Sequence, residues 1–96
     1  SPGNRVLLFT NNDDAYRTAI SLKKNNVPIA GIVDLRSDPD GELVDQVRSE
    51  GITIYPGHAI VSTAGYLRIK SVKIMQLSQD GTKLIGSMKK IRCDSI

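Results

Sequence analysis

Thr10, Asn11, Asn12 and Asp14, with Asp34, Arg36 and His58 further along, stand where a nucleotide site on an α/β sheet would need polar groups. The segment Thr10-Asn-Asn-Asp-Asp-Ala15 lies between a hydrophobic run, Arg5-Val-Leu-Leu-Phe9, and the first helical pattern. A strand-to-helix turn at that point is where G-x-G-x-x-G cradles a pyrophosphate. On that template Thr10 and Asn12 replace the first two glycines, and Ala15 replaces the third. Asp13 and Asp14 fall in the first helical turn, where unpaired N–H groups and the positive dipole end otherwise attract an anion. Two carboxylates beside a pyrophosphate cost on the order of 1–4 kcal/mol per charge pair at effective dielectrics of about 20–80. The amides and the hydroxyl can still bind a ribose or adenine edge. The competing role is local: Asn12 as N-cap, with Asp13 and Asp14 complementing the dipole.

Asp34 follows Ala15 by nineteen residues and ends the second hydrophobic run. An acid there binds ribose hydroxyls in dinucleotide folds, and a nearby arginine suits a 2′-phosphate, so Arg36 leaves the cofactor open. The alternative is an Asp34–Arg36 loop pair near the surface. His58, the sole histidine, follows Pro56-Gly57 at a strand end, on the cleft side of such a sheet. General acid–base work would need a partner that the sequence does not identify, so a structural hydrogen bond is expected. Asp38, Asp40 and Glu42 alternate like cation ligands, but the twelve-residue calcium pattern is absent and Asp40 reads as an N-cap. Cys93, the single cysteine, has no activating neighbour and reads as a buried, inert thiol. No catalytic residue and no metal site is expected.

These side chains must be positioned by alternating strands and helices. Strands are expected at Arg5–Phe9, buried on both faces, then at Ile29–Leu35 and Ile52–Tyr55. Helices are expected from Asn12 to about Lys24, packing through Ala15, Ala19 and Leu22 beside Tyr16 and Ile20, and at Glu42–Ser49. The order β-α-β-α-β calls for a parallel sheet with right-handed crossovers. After Gly57 no helical period returns. Short strands at Ala59–Thr63, Tyr66–Lys70, Val72–Leu77 and Lys83–Arg92, with turns at Ala64-Gly65 and Asp80-Gly81, predict a small antiparallel meander. The fold class is α/β: a Rossmann-like β-α-β-α-β parallel sheet followed by that meander, in one domain over 1–96.

Ninety-six residues with four aromatic side chains must rely on aliphatic packing. No apolar run approaches the roughly 18 residues of a membrane span, and one cysteine suits a reducing compartment. The expectation is a cytoplasmic protein with no membrane partner. The net charge of +3 is uneven. Residues 1–65 carry six Lys/Arg against eight Asp/Glu, whereas 66–96 carry seven against two. The basic residues of the second part interleave with apolar ones and lack an aromatic platform for bases. That pattern argues against nucleic acid and for a solvated face or an acidic protein partner.

Four stretches resemble one family: Val6-Leu-Leu-Phe-Thr-Asn-Asn-Asp-Asp-Ala-Tyr-Arg-Thr-Ala19, Val33-Asp34, Gly57-His-Ala59 and Ile91-Arg-Cys-Asp94. They are similar to the alpha subunit of heterotetrameric sarcosine oxidase, within the inserted pyridine-nucleotide-disulfide-oxidoreductase-like domain. The Thr-Asn-Asn-Asp-x-Ala-Tyr-Arg string is the specific part. The resemblance implies a parent flavoenzyme that oxidatively demethylates sarcosine to glycine, passes electrons to oxygen and transfers the one-carbon unit to tetrahydrofolate. It implies FAD in the beta subunit, FMN at the alpha–beta interface, and NAD bound by the alpha subunit largely through its larger dinucleotide domain. On this reading the chain is a middle piece with no turnover of its own. Its partners are the rest of the alpha subunit and the other subunits, with a dinucleotide possible at Thr10–Asp14, Asp34, Arg36 and His58. Two rival readings remain: an adenine-nucleotide-binding module with a rebuilt pocket, and an inter-subunit interaction domain.

Overall fold

A computed structural model describes residues 4–96. The chain runs β1 (Val6–Thr10), α1 (Asp14–Lys24), β2 (Ile29–Asp34), α2 (Glu42–Ser49), β3 (Ile54–Pro56), β4 (His58–Ala64), β5 (Ser71–Leu77) and β6 (Leu84–Arg92). The first three strands form a parallel sheet in the order β1-β2-β3, and the last three form an antiparallel sheet in the order β4-β5-β6. This is the expected α/β architecture.

The central parallel sheet has a core on each side. One core joins Tyr16, Ala19 and Ile20 of α1 to Val44 and Val47 of α2 over Ile32 and Ile52. The other joins Leu7, Ala30 and Val33 to Val72, Ile74, Ile91 and Cys93 of the meander. Helices, parallel sheet and antiparallel sheet therefore stack as three layers, and β2, buried from Ala30 to Asp34, runs through the middle.

Gly31 shows how close the layers come. A Cβ there would stand 2.8 Å from Cε2 of Tyr55 and 3.1 Å from the Thr53 carbonyl, at a φ of +153°. Helix α1 ends on Asn26, left-handed at φ 60°, with Val27 N–H donating to Leu22 C=O and Asn26 N–H to Lys23 C=O. That paired closure satisfies carbonyls the helix leaves open.

Several local expectations are corrected. The N-cap of α1 is Asp13, which makes no side-chain cap bond, rather than Asn12; Asn12 Oδ1 instead accepts from the Asp14 N–H at 2.9 Å. Gly41, not Asp40, caps α2, because the backbone there takes φ 113°, a region only glycine enters freely. Strand β1 is a sheet edge whose two faces are covered only in part, with Leu8 packing against the helix-side core. Leu7 packs on the meander, but Phe9, two residues on along the same face, is 43% exposed. Tyr66–Lys70 forms no strand; it loops from β4 to β5, closed by Lys70 N–H donating to Ala64 C=O at 2.7 Å. Tyr66 and Leu67 point to solvent there, since no neighbouring strand remains for them to pair with.

Candidate functional site

The carboxyl ends of β1 and β2 lie side by side, with Thr10 in register with Asp34, and the β1–α1 crossover leaves from that edge. Nucleotides bind outside this edge in open α/β sheets. Here the polar groups of the crossover are turned on one another. The Thr10 hydroxyl donates to Asn12 C=O at 2.9 Å and accepts from Asn12 N–H at 3.0 Å. The Asn12 amide nitrogen donates to Asn11 Oδ1 at 3.1 Å, while its oxygen holds the first N–H of α1. Asp14, largely exposed, pairs with Arg17 at 2.8 Å. The small residues of a phosphate loop leave backbone N–H groups bare; here side chains take up two of them, those of Asn12 and Asp14.

Asp34 is fully buried and saturated. Its Oδ2 accepts from the Tyr16 hydroxyl at 2.8 Å and from Arg36 Nη2 at 2.9 Å; its Oδ1 accepts from Arg36 N–H at 2.9 Å and from Nε at 3.1 Å. Such a fork geometry is among the stronger charge-assisted arrangements. Arg36 continues outward to Asp13 Oδ1, 3.0 Å from Nη1. That contact lies off the N–H line, so Asp13 Oδ1 is charge-paired without an aligned hydrogen bond. The Arg36 guanidinium also sits 6.0 Å from the Tyr16 ring centroid. The Asp34 hydrogen bond, with Asp13 adding to it, holds Arg36 above the ordinary arginine range. Burial first, and the bond to Asp34 second, push the Tyr16 phenol above its usual range. The Asp34–Arg36 pair expected near the surface is thus a buried acid whose arginine reaches back to the crossover.

His58 is also committed. Its Nδ1 lies 2.7 Å from the Pro56 carbonyl, an acceptor only, so Nδ1–H donates; Nε2 accepts from Lys89 Nζ at 3.2 Å. The Tyr55 ring meets it edge-on at 6.3 Å. The arrangement ties the end of the parallel sheet to β6 and presents no acid–base pair. Cys93 is buried, and burial first, then the Asp94 charge, push its thiol up. Among the described residues no group of three or more His, Cys, Asp and Glu side chains gathers as a metal site, and no helix is long and apolar enough to cross a membrane.

The structure therefore unites Asp34, Arg36 and the crossover of Thr10, Asn11, Asn12 and Asp14, and places His58 apart, on the meander side. Sequence reasoning missed Tyr16 and the Asp13–Arg36 contact. Tyr16 carried a signal: a tyrosine in an apolar helix stripe must find a partner for its hydroxyl once buried.

No family model matches the chain, and no curated protein matches it in sequence. Solved structures do match in shape. A thioredoxin reductase from T. acidophilum superposes with a TM-score of 0.69 at 18% identity, covering 98% of this chain and 30% of its own. A thioredoxin reductase from Gloeobacter violaceus gives 0.68 at 11% identity, and a bacillithiol disulfide reductase from Staphylococcus aureus gives 0.68 at 14%; each match covers 97% of this chain and 27% of theirs. The chain has the fold of one segment of these reductases. It spans less than a third of their length, and the likeness is one of fold alone.

A dinucleotide held in the usual way fits poorly. A diphosphate over the crossover would meet Asp13 and Asp14, and the acid that would take ribose hydroxyls is already saturated by Tyr16 and Arg36.

Proposed function

We propose that this chain is the inserted Rossmann-like domain of a sarcosine oxidase alpha subunit, serving as a cleft-wall scaffold whose own phosphate loop is degenerate. The reading joins the Thr-Asn-Asn-Asp-x-Ala-Tyr-Arg string to a fold that recurs as a segment of larger thioredoxin reductases. The observation that carries the scaffold role is the Tyr16–Asp34–Arg36–Asp13 chain of contacts, which spends the nucleotide-facing groups on rigidity. The parent enzyme would supply FAD, FMN, NAD and tetrahydrofolate sites outside this chain, and the domain would turn over nothing alone. Cytoplasmic residence and partnership with the remaining subunits belong to the same proposal. The test is expression of the full reading frame with its neighbouring subunits. Sarcosine-dependent oxygen uptake supports the assignment, and a folded, flavin-loaded complex inert to sarcosine rejects it.

A second reading has one observation in its favour. A cavity of about 340 Å³ opens beside Gly57 at the ends of β2 and β3, lined by Ser37, Pro56, Gln76 and Gln79 and by no charged side chain. Such a lining suits a neutral, adenosine-like ligand. Chemical-shift changes at Ser37 and Gln76 with adenosine favour it; a flat response removes it.

A further inference from the structure

Four cations and a single acid gather at the other end of β1. A cavity of about 380 Å³ is walled by Ser71 and Cys93 and rimmed by Arg5, Lys70, Lys90 and Arg92. Those cations come from three places in the fold: the lead into β1, the loop before β5, and β6. All four are exposed, and none forms an ion pair with any described carboxylate. Asp94 is the one acid in the lining, and its Oδ2 accepts from the Arg5 backbone N–H at 2.8 Å.

The sheet register sharpens the imbalance. Ser71 lies directly opposite Arg92, and Lys73 directly opposite Lys90, so one face of the β5–β6 ladder sets two lysines side by side. Like charges opposed across a ladder are destabilising. Of the two lysines, only Lys90 lines the cavity, where a bound anion would offset the repulsion. The wall adds a second feature: Ser71 is only 5% exposed, yet its hydroxyl makes no hydrogen bond with any other described residue. Its oxygen keeps contact with solvent, since Asp13 Oδ1 alone is a buried side-chain polar atom without a partner among the described residues. Here it borders the cavity.

We infer that this cavity is a site for a compact polyanion of the diphosphate class, held by Arg5, Lys70, Lys90 and Arg92 with Ser71 donating from the wall. Two guanidinium forks and two ammonium groups suit phosphoryl oxygens, bidentate from the arginines and point-charged from the lysines. The volume is at the small end for ligand pockets, which selects a small anion over an extended one. The site does not depend on the scaffold reading. Arg5 precedes β1 and the crossover follows it, about 16 Å apart at the usual rise per strand residue.

The test is an NMR-mapped titration of the chain with inorganic pyrophosphate, with ADP, adenosine, citrate and a poly-glutamate peptide in parallel. Pyrophosphate should give saturable shifts centred on Ser71, Arg92 and Cys93. ADP acting at the same amides would show that a nucleotide's diphosphate is accepted; ADP failing there would restrict the site to free pyrophosphate. Adenosine should leave those amides unmoved. Lys90→Ala with Arg92→Ala should weaken pyrophosphate binding by roughly tenfold or more, each tenfold being about 1.4 kcal/mol. Lys23→Ala with Lys24→Ala removes the same charge elsewhere and should change affinity less than about twofold. Equal weakening by both pairs would reduce the site to general attraction and overturn it. So would citrate or poly-glutamate binding more tightly than pyrophosphate, the latter marking a protein-docking face. Should the first pair fail to fold, shifts of the parent chain that do not saturate, or that centre elsewhere, overturn it alone.

Discussion

Replacing Asp34 with asparagine changes one oxygen for an NH2 in a site that presents only donors. Four hydrogen bonds converge on the carboxylate, two on each oxygen, from Tyr16 and Arg36. Asparagine keeps one acceptor. It therefore loses two of those bonds and aims a donor at the donors left behind. Bonds to charged groups contribute about 1.5–3 kcal/mol each. Two such bonds sum to about 3–6 kcal/mol, and Arg36, 35% exposed, can turn partly to water, which brings the loss below that sum. The expected loss for Asp34→Asn is about 2–4 kcal/mol, or roughly 10–25 °C in Tm for a domain of this size. Tyr16→Phe removes a single bond and should lose about 1–2 kcal/mol. Urea unfolding of the single and double variants gives the coupling directly. Asp34→Asn within about 0.5 kcal/mol of the parent would refute the claim that this acid is a structural hub.

Further outcomes follow from the same geometry. Thr10→Gly with Asn12→Gly removes the local bonds of the crossover and adds unfolded-state freedom, so stability should fall by roughly 0.5–2 kcal/mol in the same urea assay; an unchanged midpoint would show that these side chains hold nothing. Gly31→Ala should lose about 1–3 kcal/mol, because the added methyl meets the Tyr55 ring and the Thr53 carbonyl, and a neutral result would mean the ring moves away freely. Burial, and then the Asp34 bond, raise the Tyr16 phenol above its unfolded value near 10, so the folded state keeps a proton that the unfolded state releases. That contribution is complete below pH of about 10 and fades as pH rises further; alkaline urea titrations should show a decline that Tyr16→Phe lacks, and parallel curves would contradict it.

Much of the architecture was legible because its signals are local. The apolar run at Ile29–Val33, the Asn25-Asn26-x-Pro28 stop and Asp80-Gly81 each specify an element without help from distant residues. What failed was non-local. The exposure of Phe9 depends on how far the meander extends over β1, and Tyr66–Lys70 alternates like a strand but has no neighbour to pair with. The Asp34–Arg36 pairing was readable from its spacing. Its burial was not, because that depends on a tyrosine eighteen residues earlier and on α1 lying over β2. The cluster of Arg5 with Lys70, Lys90 and Arg92 was likewise invisible, since only the fold brings the start of β1 to the end of β6.

The central claim is that the β1–α1 crossover turns its amides on one another and sets two acids where a diphosphate would lie, so that it holds none. Residue-resolved NMR titration with NAD, NADH, NADP and FAD tests this most directly, because it separates the crossover from the basic cavity. The account predicts no saturable shift at Asn11–Asp14 or Asp34 with any of the four, whatever happens at Ser71 and Arg92. Binding tighter than about 10 µM that maps to Asn11–Asp14 would contradict it.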